Sequence, residues 1–450
     1  MSEKKIIFMT VETSMAAKEF LRSGAFPILK SKRRVVLFVP ADKVAYYQKQ
    51  YGGDSVFIEP LPEIKRQGLH LIIKNVAFNS LSTASVWYRI WESYYLTHRP
   101  WNLAMRIIFW HLGKLRIWRE ATRLAEWLMR DDEIWRTVFN KYNPDFVLCT
   151  NVIGEADISL MKHARRRGRG AYAMIRGWDN LTSKGTIRFK PDQLMVYNEN
   201  IKREAVEYGD MRAERITVVG MPHYDSYVNS GFYWTREEFF LRLGLDPAKK
   251  LIVYAMGGNI AVEDPYNHAK MINDAIDRGD LPPTQLLIRA HPKYDMTVSD
   301  ISQLKHVKFY QPGKKVAGTR GWEFEKEDTM ILINTVRWND ININSGSGQT
   351  LESVMFDRPV VILGFNGYKP VPWHKNVGTG LDLFTHYRYI VRSGGVTRAN
   401  NEQELIAACR AYLANPALHR DGRKRMVEDI AGKLDGKSSE RLATAILSLA

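Results

Sequence analysis

Continuous apolar runs alternate with helix-like stretches from the start of this chain. In the first half, these runs are KKIIFMT (4–10), RRVVLFVP (33–40), DSVFIEPL (54–61), PDFVLCTN (144–151), GAYAMIRGWDN (170–180), DQLMVYNEN (192–200) and RITVVGMPHYD (215–225). Apolar runs of this length, separated by helical patterns, are typical of parallel strands that helices cover on both faces. The pattern therefore predicts an α/β protein that begins with a Rossmann-like sheet.

The same alternation begins again after a polar connection at 232–250, where we place the domain boundary. Predicted strands of the second half are LIVYAMGG (251–258), QLLIRAHP (285–292), VKFYQP (307–312), DTMILIN (328–334), DININS (340–345) and PVVILGF (359–365), with helices at 265–279 and 348–356. We expect two Rossmann-like domains, 1–235 and 236–450, that face a cleft. Ligands of such sheets bind outside the carboxyl ends of the strands.

Residues 84–143 interrupt the first half with a helical, tryptophan-rich pattern. Seven of the chain's twelve tryptophans lie here, with lysine and arginine between the apolar positions: Trp87, Trp91, Trp101, Trp110, Trp118, Trp127 and Trp135. One interpretation is an insertion of long helices packed against the sheet. The other is that 84–130 lie on a membrane, where Trp and Arg settle at lipid headgroups. A lipid-linked acceptor would suit the second interpretation.

Composition narrows the classes of partner. The formal net charge of +16 and the pI near 9.6 favour anions, namely nucleic acid, acidic lipid or phosphorylated small molecules. The basic run MKHARRRGRG (161–170) has no recognisable RNA module around it, so we expect no nucleic-acid partner. Cys149 and Cys409 support no disulfide framework and fit a reducing cytosol. We expect a soluble or peripheral cytoplasmic protein, which includes the inner face of the cytoplasmic membrane, because no run reaches 18 apolar residues.

The stretch LLIRAHPKYD (286–295) places three cationic side chains where a predicted strand ends. Arg289, His291 and Lys293 together suit a phosphate, since a protonated His nitrogen donates beside Arg and Lys. The alternative is a capped turn, in which His291 bonds a nearby carbonyl and Pro292 ends the strand. His and Cys never fall in zinc-binding spacing in this chain, so we expect no structural metal.

A second candidate phosphate site lies in NINSGSGQTLESVMFDRPVVI (342–362), which predicts a strand, a loop, a helix and a strand. Small residues let a ligand approach the backbone, and the start of the helix attracts phosphate. The candidate residues are Ser345, Gly346, Ser347, Gly348 and Thr350. Glu352 either accepts hydrogen bonds from ribose hydroxyls or is an ordinary first-turn carboxylate. Gly257 and Gly258 either pass close to the donor phosphates or form a simple turn.

The pairing of RAHPK with SGSGQTLES and DRPVVI, after NENIKREAVEYG and ITVVGMPHYD, resembles GT-B glycosyltransferases of the surface-carbohydrate and CDP-glycerol glycerophosphotransferase-like group. Bacterial sialyltransferases of GT-B fold also combine a His-Pro motif with a later serine motif. The resemblance, over about residues 140–370, implies a nucleotide-activated donor held mainly by the second domain and an acceptor held mainly by the first. It implies no metal cofactor. His291 and Pro292 match the His-Pro motif; the matches to the serine loop and ribose-binding residue are Ser345, Ser347, Thr350 and Glu352.

An inverting transfer needs a group in the acceptor domain that takes the proton from the attacking hydroxyl. The candidates at predicted strand ends are Asp179 first, then Glu155 with its neighbour Asp157, and then Glu12. The alternative for Asp179 is an Asx turn before a helix. His291 is the catalytic candidate of the second domain, and its replacement by alanine is expected to abolish or sharply lower turnover while the fold stays intact.

The leading hypothesis is a metal-independent glycosyltransferase of surface polysaccharide biosynthesis. It would move a sugar from a CMP-, UDP- or similar donor to a glycan or lipid-linked acceptor, with the nucleotide sugar as substrate and no further cofactor. The alternatives are a CDP-glycerol-type polyol-phosphate transferase, a nonhydrolysing sugar-nucleotide epimerase and a basic nucleic-acid-binding protein.

Overall fold

The computed structural model describes residues 4–130, 132–175, 177–257, 265–291, 301–315 and 322–449. Contacts between Cα atoms divide the chain into two units, Met1–Val228 with Gly432–Ala450, and Asn229–Ala431. The chain thus returns to the first unit at its end. The sequence-based division differs here, since it kept residues 236–450 together; the acceptor-binding and donor-binding roles of the two parts remain predictions.

The first unit is built on a parallel sheet of seven strands in the order β3-β2-β1-β4-β5-β6-β7. The strands are β1 (Ile6–Thr10), β2 (Arg34–Val39), β3 (Val56–Pro60), β4 (Phe146–Cys149), β5 (Gly170–Met174), β6 (Gln193–Val196) and β7 (Ile216–Val218). Every pairing is parallel. All five side chains from Val35 to Val39 are fully buried, which explains the continuous apolar run of β2.

Helices cover this sheet, and five of them follow β3 before the chain re-enters the sheet at β4. The helices are α1 (Ser14–Glu19), α2 (Ala25–Lys32), α3 (Val44–Tyr51), α4 (Gly68–Asn79), α5 (Ala84–Thr97), α6 (Pro100–Leu112), α7 (Arg116–Leu128), α8 (Arg136–Tyr142), α9 (Glu155–Arg166), α10 (Asn180–Ser183) and α11 (Glu199–Glu207). Thr83 caps α5 by accepting the backbone N–H of Val86. Val86 and Ile90 of α5 pack against Leu103 and Ile107 of α6, so the helical character predicted for 84–143 is observed.

The second unit repeats the architecture with six parallel strands in the order β10-β9-β8-β13-β14-β15. Its strands are β8 (Lys250–Ala255), β9 (Thr284–Arg289), β10 (Val307–Tyr310), β13 (Ile341–Asn344), β14 (Val360–Leu363) and β15 (Thr397–Ala399), with a separate antiparallel pair, β11 (Lys314–Lys315) and β12 (Trp322–Glu323). Its helices are α12 (Arg236–Arg242), α13 (Pro265–Asp277), α14 (Lys326–Trp338), α15 (Gly348–Val354), α16 (Val377–Leu383), α17 (Tyr387–Ser393), α18 (Glu402–Ala414) and α19 (Arg420–Met426).

The strand predicted at 328–334 is wrong, because these residues lie inside α14. The run MILI is too short for periodicity to separate a helix from a strand. A capping box decides the outcome: Glu325 accepts a backbone N–H of the first turn, and Asp328 accepts the N–H of Glu325 at 2.7 Å. Leu332, Ile333 and Val336 are then buried from the helix.

The final helix, α20 (Ser438–Leu447), belongs to the first unit by its contacts. Asp225 caps it, since its two carboxylate oxygens accept the backbone N–H groups of Ser438 and Ser439 at 3.0 and 2.7 Å. Ser439 also lies against Gly24, where an added Cβ would be 3.2 Å from the serine Cβ. These contacts explain why residues 432–450 group with Met1–Val228.

Candidate functional site

Each sheet reverses its strand order once, which marks one preferred ligand position in each unit. In the first sheet the reversal lies between β1 and β4, and in the second it lies between β8 and β13. All these strands are parallel, so the loops after their carboxyl ends meet at one edge of the sheet. We call these two places the first and the second switch point.

The first switch point opens into a cavity of about 510 Å³. Its floor includes Glu12, which follows β1, and Asn151 and Glu155, which follow β4. Its walls come from α4 and α6 of the helical region and from the segment after α10, and they carry the cations Lys74, Arg106, Lys184 and Arg188. Two of the predicted acidic candidates thus line one cavity with four cationic side chains.

Glu155 is held in an ion-pair network. Arg66 Nε donates to its carboxylate at 2.6 Å, Lys74 Nζ lies 3.2 Å away, and Arg188 donates to the other oxygen. Burial favours the neutral acid, but Arg188 and Arg66 outweigh it through charge and hydrogen bonds and lower the pKa of Glu155 to about 2. A carboxylate with so low a pKa is a weak proton acceptor at neutral pH, so this geometry favours a positioning role for Glu155.

Beneath Glu155 lies a buried carboxylate that the sequence analysis did not identify, Glu126 of α7. It is 1% exposed. Arg66 and Lys162 donate to its Oε1 at 3.2 and 3.1 Å, and Arg188 donates to its Oε2 at 3.1 Å. Arg66 and Arg188 therefore bridge Glu126 and Glu155, which fixes both guanidinium groups under the cavity. Glu126 lies 60 residues from Arg66 and 62 from Arg188 in the sequence, so no local sequence pattern indicates this network.

Asp157 is fully enclosed below Glu12. Thr10 donates its hydroxyl hydrogen to the Asp157 carboxylate, and Thr10 in turn accepts the N–H of Thr150 at 3.2 Å. Burial raises the pKa of Asp157 to about 7, the Thr10 hydrogen bond opposes this, and the nearby charge of Glu12 raises it further. Asp157 is 1% exposed, whereas Glu12 is exposed at the cavity. Of the two, Glu12 is placed to meet a ligand.

Asp179, the first candidate from the sequence, lies at the residue before α10 and makes no side-chain cap to that helix. Its carboxylate forms an ion pair with Lys184 at 3.1 Å and lies within 3.4 Å of the Ser183 hydroxyl. Lys184 lines the cavity, and Asp179 is not among the described residues that do so. The structure therefore brings Glu12 and Glu155 together at the cavity. Asp179 contacts the cavity-lining Lys184 and is not itself among the described lining residues.

At the second switch point, Asn344 at the end of β13 organises the serine-rich loop. Its side-chain oxygen accepts the backbone N–H of Gly346 at 2.8 Å, the N–H of Ser347 at 3.0 Å and the hydroxyl of Thr350 at 2.8 Å. Gly346 has φ of +86°, and an added Cβ there would lie 2.8 Å from the Tyr387 ring. The sequence analysis named the small residues of this loop and missed the asparagine that shapes it.

The predicted phosphate residues of this loop differ in exposure. Gly348 is exposed and Ser347 is partly exposed, and Ser347 caps α15 by accepting the N–H of Gln349 at 3.2 Å. Thr350 is fully buried, and Ser345 and Glu352 are 8% and 6% exposed. Ser347 and Gly348 are therefore the members that a ligand reaches most directly, while the Thr350 hydroxyl is directed to Asn344.

Arg289 ends β9 at the same edge of the sheet, separated from β13 by β8 alone. Neighbouring strands lie about 4.8 Å apart, which puts the ends of β9 and β13 roughly 10 Å from each other. Arg289 is buried, while His291 and Gly257 are partly exposed. The other candidates of this edge, Gly258, Pro292 and Lys293, lie outside the described residues. Among the described residues, no group of three His, Cys, Asp or Glu side chains is arranged to hold a metal ion.

The fold has many counterparts among solved structures, although neither protein-family models nor curated protein sequences give a match. A Neisseria meningitidis UDP-GlcNAc 2-epimerase bound to UDP-GlcNAc aligns over 99% of this chain and 100% of its own, with 11% identity and a TM-score of 0.56. The S. aureus MnaA–UDP co-structure aligns over 99% and 98%, with 13% identity and a TM-score of 0.53. A Rickettsia africae glycosyltransferase aligns over 100% of both chains, with 9% identity and a TM-score of 0.50. The predicted fold class is confirmed: the chain is an α/β protein with two parallel Rossmann-like sheets and a GT-B-like fold.

Proposed function

We propose that this chain is a glycosyltransferase that moves a sugar from a nucleotide-activated donor to an acceptor hydroxyl held at the first switch point. The observation that carries the proposal is the cavity there, which places the exposed carboxylate of Glu12 among four cationic side chains. Such a cavity suits a polar, hydroxyl-bearing acceptor. The GT-B-like fold and the resemblance to surface-carbohydrate enzymes support the same reaction class.

The nucleotide of the donor is assigned to the second switch point. The N–H groups of Gly346 and Ser347 are already bonded to Asn344, so the loop is held in one conformation before a ligand arrives. The exposed Gly348 at the start of α15 and the partly exposed His291 after β9 are the groups assigned to the phosphates. Binding in this way uses hydrogen bonds that the His291 ring and backbone N–H groups donate to the leaving phosphate.

Glu12 is assigned as the general base. In an inverting transfer, the acceptor oxygen attacks the anomeric carbon, its proton passes to the Glu12 carboxylate, and the sugar–phosphate bond breaks with its electron pair on the nucleotide. Glu155 and Glu126 hold Arg66 and Arg188 in place beneath the cavity and take no proton. The ranking from the sequence, with Asp179 first, is thus replaced by Glu12 first.

The proposal is tested by incubating the protein with CMP-, UDP- and GDP-sugars and with CDP-glycerol, with and without a mixed glycan acceptor. A transferase releases the nucleotide faster when acceptor is present, and His291→Ala lowers that release sharply while the melting temperature stays unchanged. Release of CMP from CDP-glycerol, with glycerophosphate added to the acceptor, identifies polyol-phosphate transfer instead. No turnover of any donor contradicts both.

A second candidate function is epimerisation of a nucleotide sugar. It is favoured by the similarity of this chain over nearly its whole length to UDP-GlcNAc 2-epimerases, including the one solved with UDP-GlcNAc. An epimerase needs no acceptor hydroxyl. Appearance of the epimer from UDP-GlcNAc in the absence of any acceptor, detected by NMR of the anomeric proton, separates this candidate from the transferase.

A further inference from the structure

One cation of the cavity at the first switch point has no protein partner among the described residues. Lys74 and Arg188 bind Glu155, and Lys184 binds Asp179. Arg106 of α6 also lines the cavity, yet it makes no hydrogen bond or ion pair with the residues that the structure describes, and burial lowers its pKa. A half-buried guanidinium without an anion is costly, and bound phosphate or carboxylate removes that cost.

The charge balance of the cavity supports an anionic ligand. Its charged lining consists of four cations, Lys74, Arg106, Lys184 and Arg188, and two carboxylates, Glu12 and Glu155. Glu155 already pairs with three cations, Arg66, Lys74 and Arg188. The positive charge that is left without a described carboxylate partner is therefore that of Arg106 on α6. We propose that Arg106 binds a phosphoryl group of the ligand in this cavity. Its identification as the acceptor's phosphate rests on the proposed function.

The test is calorimetric titration of the full chain with inorganic phosphate. We expect Arg106→Met to weaken binding at least about tenfold, because a charge-assisted hydrogen-bond pair is lost, and Arg106→Lys to weaken it less. Arg212→Met is the matched control, since Arg212 is exposed in the first unit, away from this cavity, and lies 3.6 Å from Glu214. Equal phosphate affinity in wild type and Arg106→Met, or no binding to wild type, overturns the proposal.

Two further arms separate this subsite from the proposed function. Dodecyl phosphate below its critical micelle concentration binds more tightly than inorganic phosphate if the ligand is lipid-linked, and with equal affinity if it is a soluble phosphate. Thermal stabilisation by UDP or CMP reports the nucleotide site independently, and Arg106→Met retains it. Phosphate binding that depends on Arg106, in a protein that no nucleotide stabilises, would leave the subsite standing and remove the transferase.

A separate observation concerns the outer face of the helical region. Of the nineteen exposed large hydrophobic side chains among the described residues, twelve lie between Leu69 and Ile134. On α7, Ile117 and Leu124 are 80% and 57% exposed; on α6, Trp101 and Ile108 are 75% and 49% exposed. Soluble surfaces rarely concentrate apolar side chains in this way, and such concentration marks an interaction site.

These side chains come from helices that pack together. Helix α4 contacts both α6 and α7, and it adds Leu69 and Ile72, which are 57% and 58% exposed. We call the six side chains the apolar surface; they are Leu69, Ile72, Trp101, Ile108, Ile117 and Leu124. On α6, Trp101 and Ile108 lie two turns apart and point away from the core of the unit, so they form a stripe along the helix.

The charged residues around the apolar surface are mostly basic, which favours an anionic partner. Residues 84–130 contain eight lysines and arginines against three acidic residues, and Arg99, Lys114 and Arg116 are exposed. An amphipathic surface with a basic margin and an exposed tryptophan is typical of helices that lie in a membrane interface. None of the helices in the described part of the chain combines the length and apolar character needed to cross a bilayer. We infer that the apolar surface docks on an anionic lipid bilayer.

The inference is tested by co-sedimentation of the full chain with vesicles of phosphatidylcholine alone or of phosphatidylcholine mixed with phosphatidylglycerol, because anionic lipid attracts basic side chains near the surface. We expect binding to the mixed vesicles, and at least about tenfold weaker binding for the double variant Ile117→Glu with Leu124→Glu. Leu241→Glu is the matched control, because Leu241 is 71% exposed in the second unit.

Light scattering tests the alternative that a second copy of the chain, and not a membrane, covers the apolar surface. A dimer that Ile117→Glu with Leu124→Glu converts to a monomer, in a protein that does not bind mixed vesicles, overturns the membrane assignment. Equal sedimentation of the double variant and wild type also overturns it. Binding to both vesicle types, lost in the double variant, would retain the lipid surface and contradict the requirement for anionic lipid.

Discussion

The two switch points occupy equivalent places in two similar sheets, yet they are built from different chemistry. The first is charged: two carboxylates and several arginines and lysines surround a cavity, and the pKa values of Glu155 at the cavity and of the buried Asp157 are shifted. At the second, a neutral group, the Asn344 amide, fixes a loop of glycine and serine, and the cation Arg289 ends the strand β9 at the same edge. The comparison shows that two similar sheets can carry different side chains at equivalent places, and it is the basis of our proposal that proton transfer takes place at the first switch point.

The largest effect on activity is expected from a substitution of Glu12 at the first switch point. Glu12→Gln removes the proposed proton acceptor without changing its size, so kcat is expected to fall roughly 10²- to 10⁴-fold with little change in donor binding. The measurement is nucleotide release in the presence of acceptor. Glu63→Gln is the control, because Glu63 is 78% exposed and pairs only weakly with Lys65. Wild-type turnover in Glu12→Gln would remove Glu12 from the chemistry.

Next comes the charged floor of the first switch point. Glu126→Gln leaves Arg66, Lys162 and Arg188 without their buried carboxylate, so unfolding of the first unit should become easier by about 3 kcal/mol or more. Calorimetry measures the change as a lower unfolding temperature. Glu238→Gln, which breaks an exposed pair with Arg242, should cost no more than about 0.5 kcal/mol. Similar costs for the two variants would contradict the role of Glu126.

Asn344 tests the second switch point in the same way. Asn344→Ala leaves the N–H groups of Gly346 and Ser347 and the Thr350 hydroxyl without their acceptor, which should destabilise the second unit by about 2 kcal/mol. Nucleotide-dependent stabilisation should fall with it, while phosphate binding at Arg106 persists. Asn415→Ala is the control, since its oxygen accepts an exposed N–H. Unchanged nucleotide binding in Asn344→Ala would separate the loop from the donor site.

The smallest effect is a pH dependence at Asp157. Its pKa is raised to about 7 in the folded protein, so the folded state binds its proton more tightly than the unfolded state does. Its contribution to stability is therefore present below about pH 4 and is lost as pH rises toward 7. Asp157→Asn should match wild type near pH 4 and exceed its free energy of unfolding by about 1 kcal/mol or more at pH 8. A difference that does not change between these pH values would contradict the raised pKa.

Sequence patterns predict the sheets of this protein well and its charged network poorly. Fully buried parallel strands such as β2 have continuous apolar sequences, which predict strands well. The four-residue run MILI of α14 fits a helix or a strand equally well, and the capping box before it favours the helix. Glu126 lies 60 residues from Arg66 and 62 from Arg188, so no local pattern links them. Asn344 had a readable signal, an asparagine that ends a buried strand directly before a Ser-Gly turn.

The most direct test of the division between the two switch points is hydrogen–deuterium exchange of the full chain with and without saturating UDP or CMP. The account predicts slower exchange in peptides that cover 286–291 and 341–354, at the ends of β9 and β13. Peptides that cover 10–12 and 150–157 should not change until an acceptor is added. Protection by nucleotide confined to 10–12 and 150–157 would contradict the assignment of the nucleotide to the second switch point.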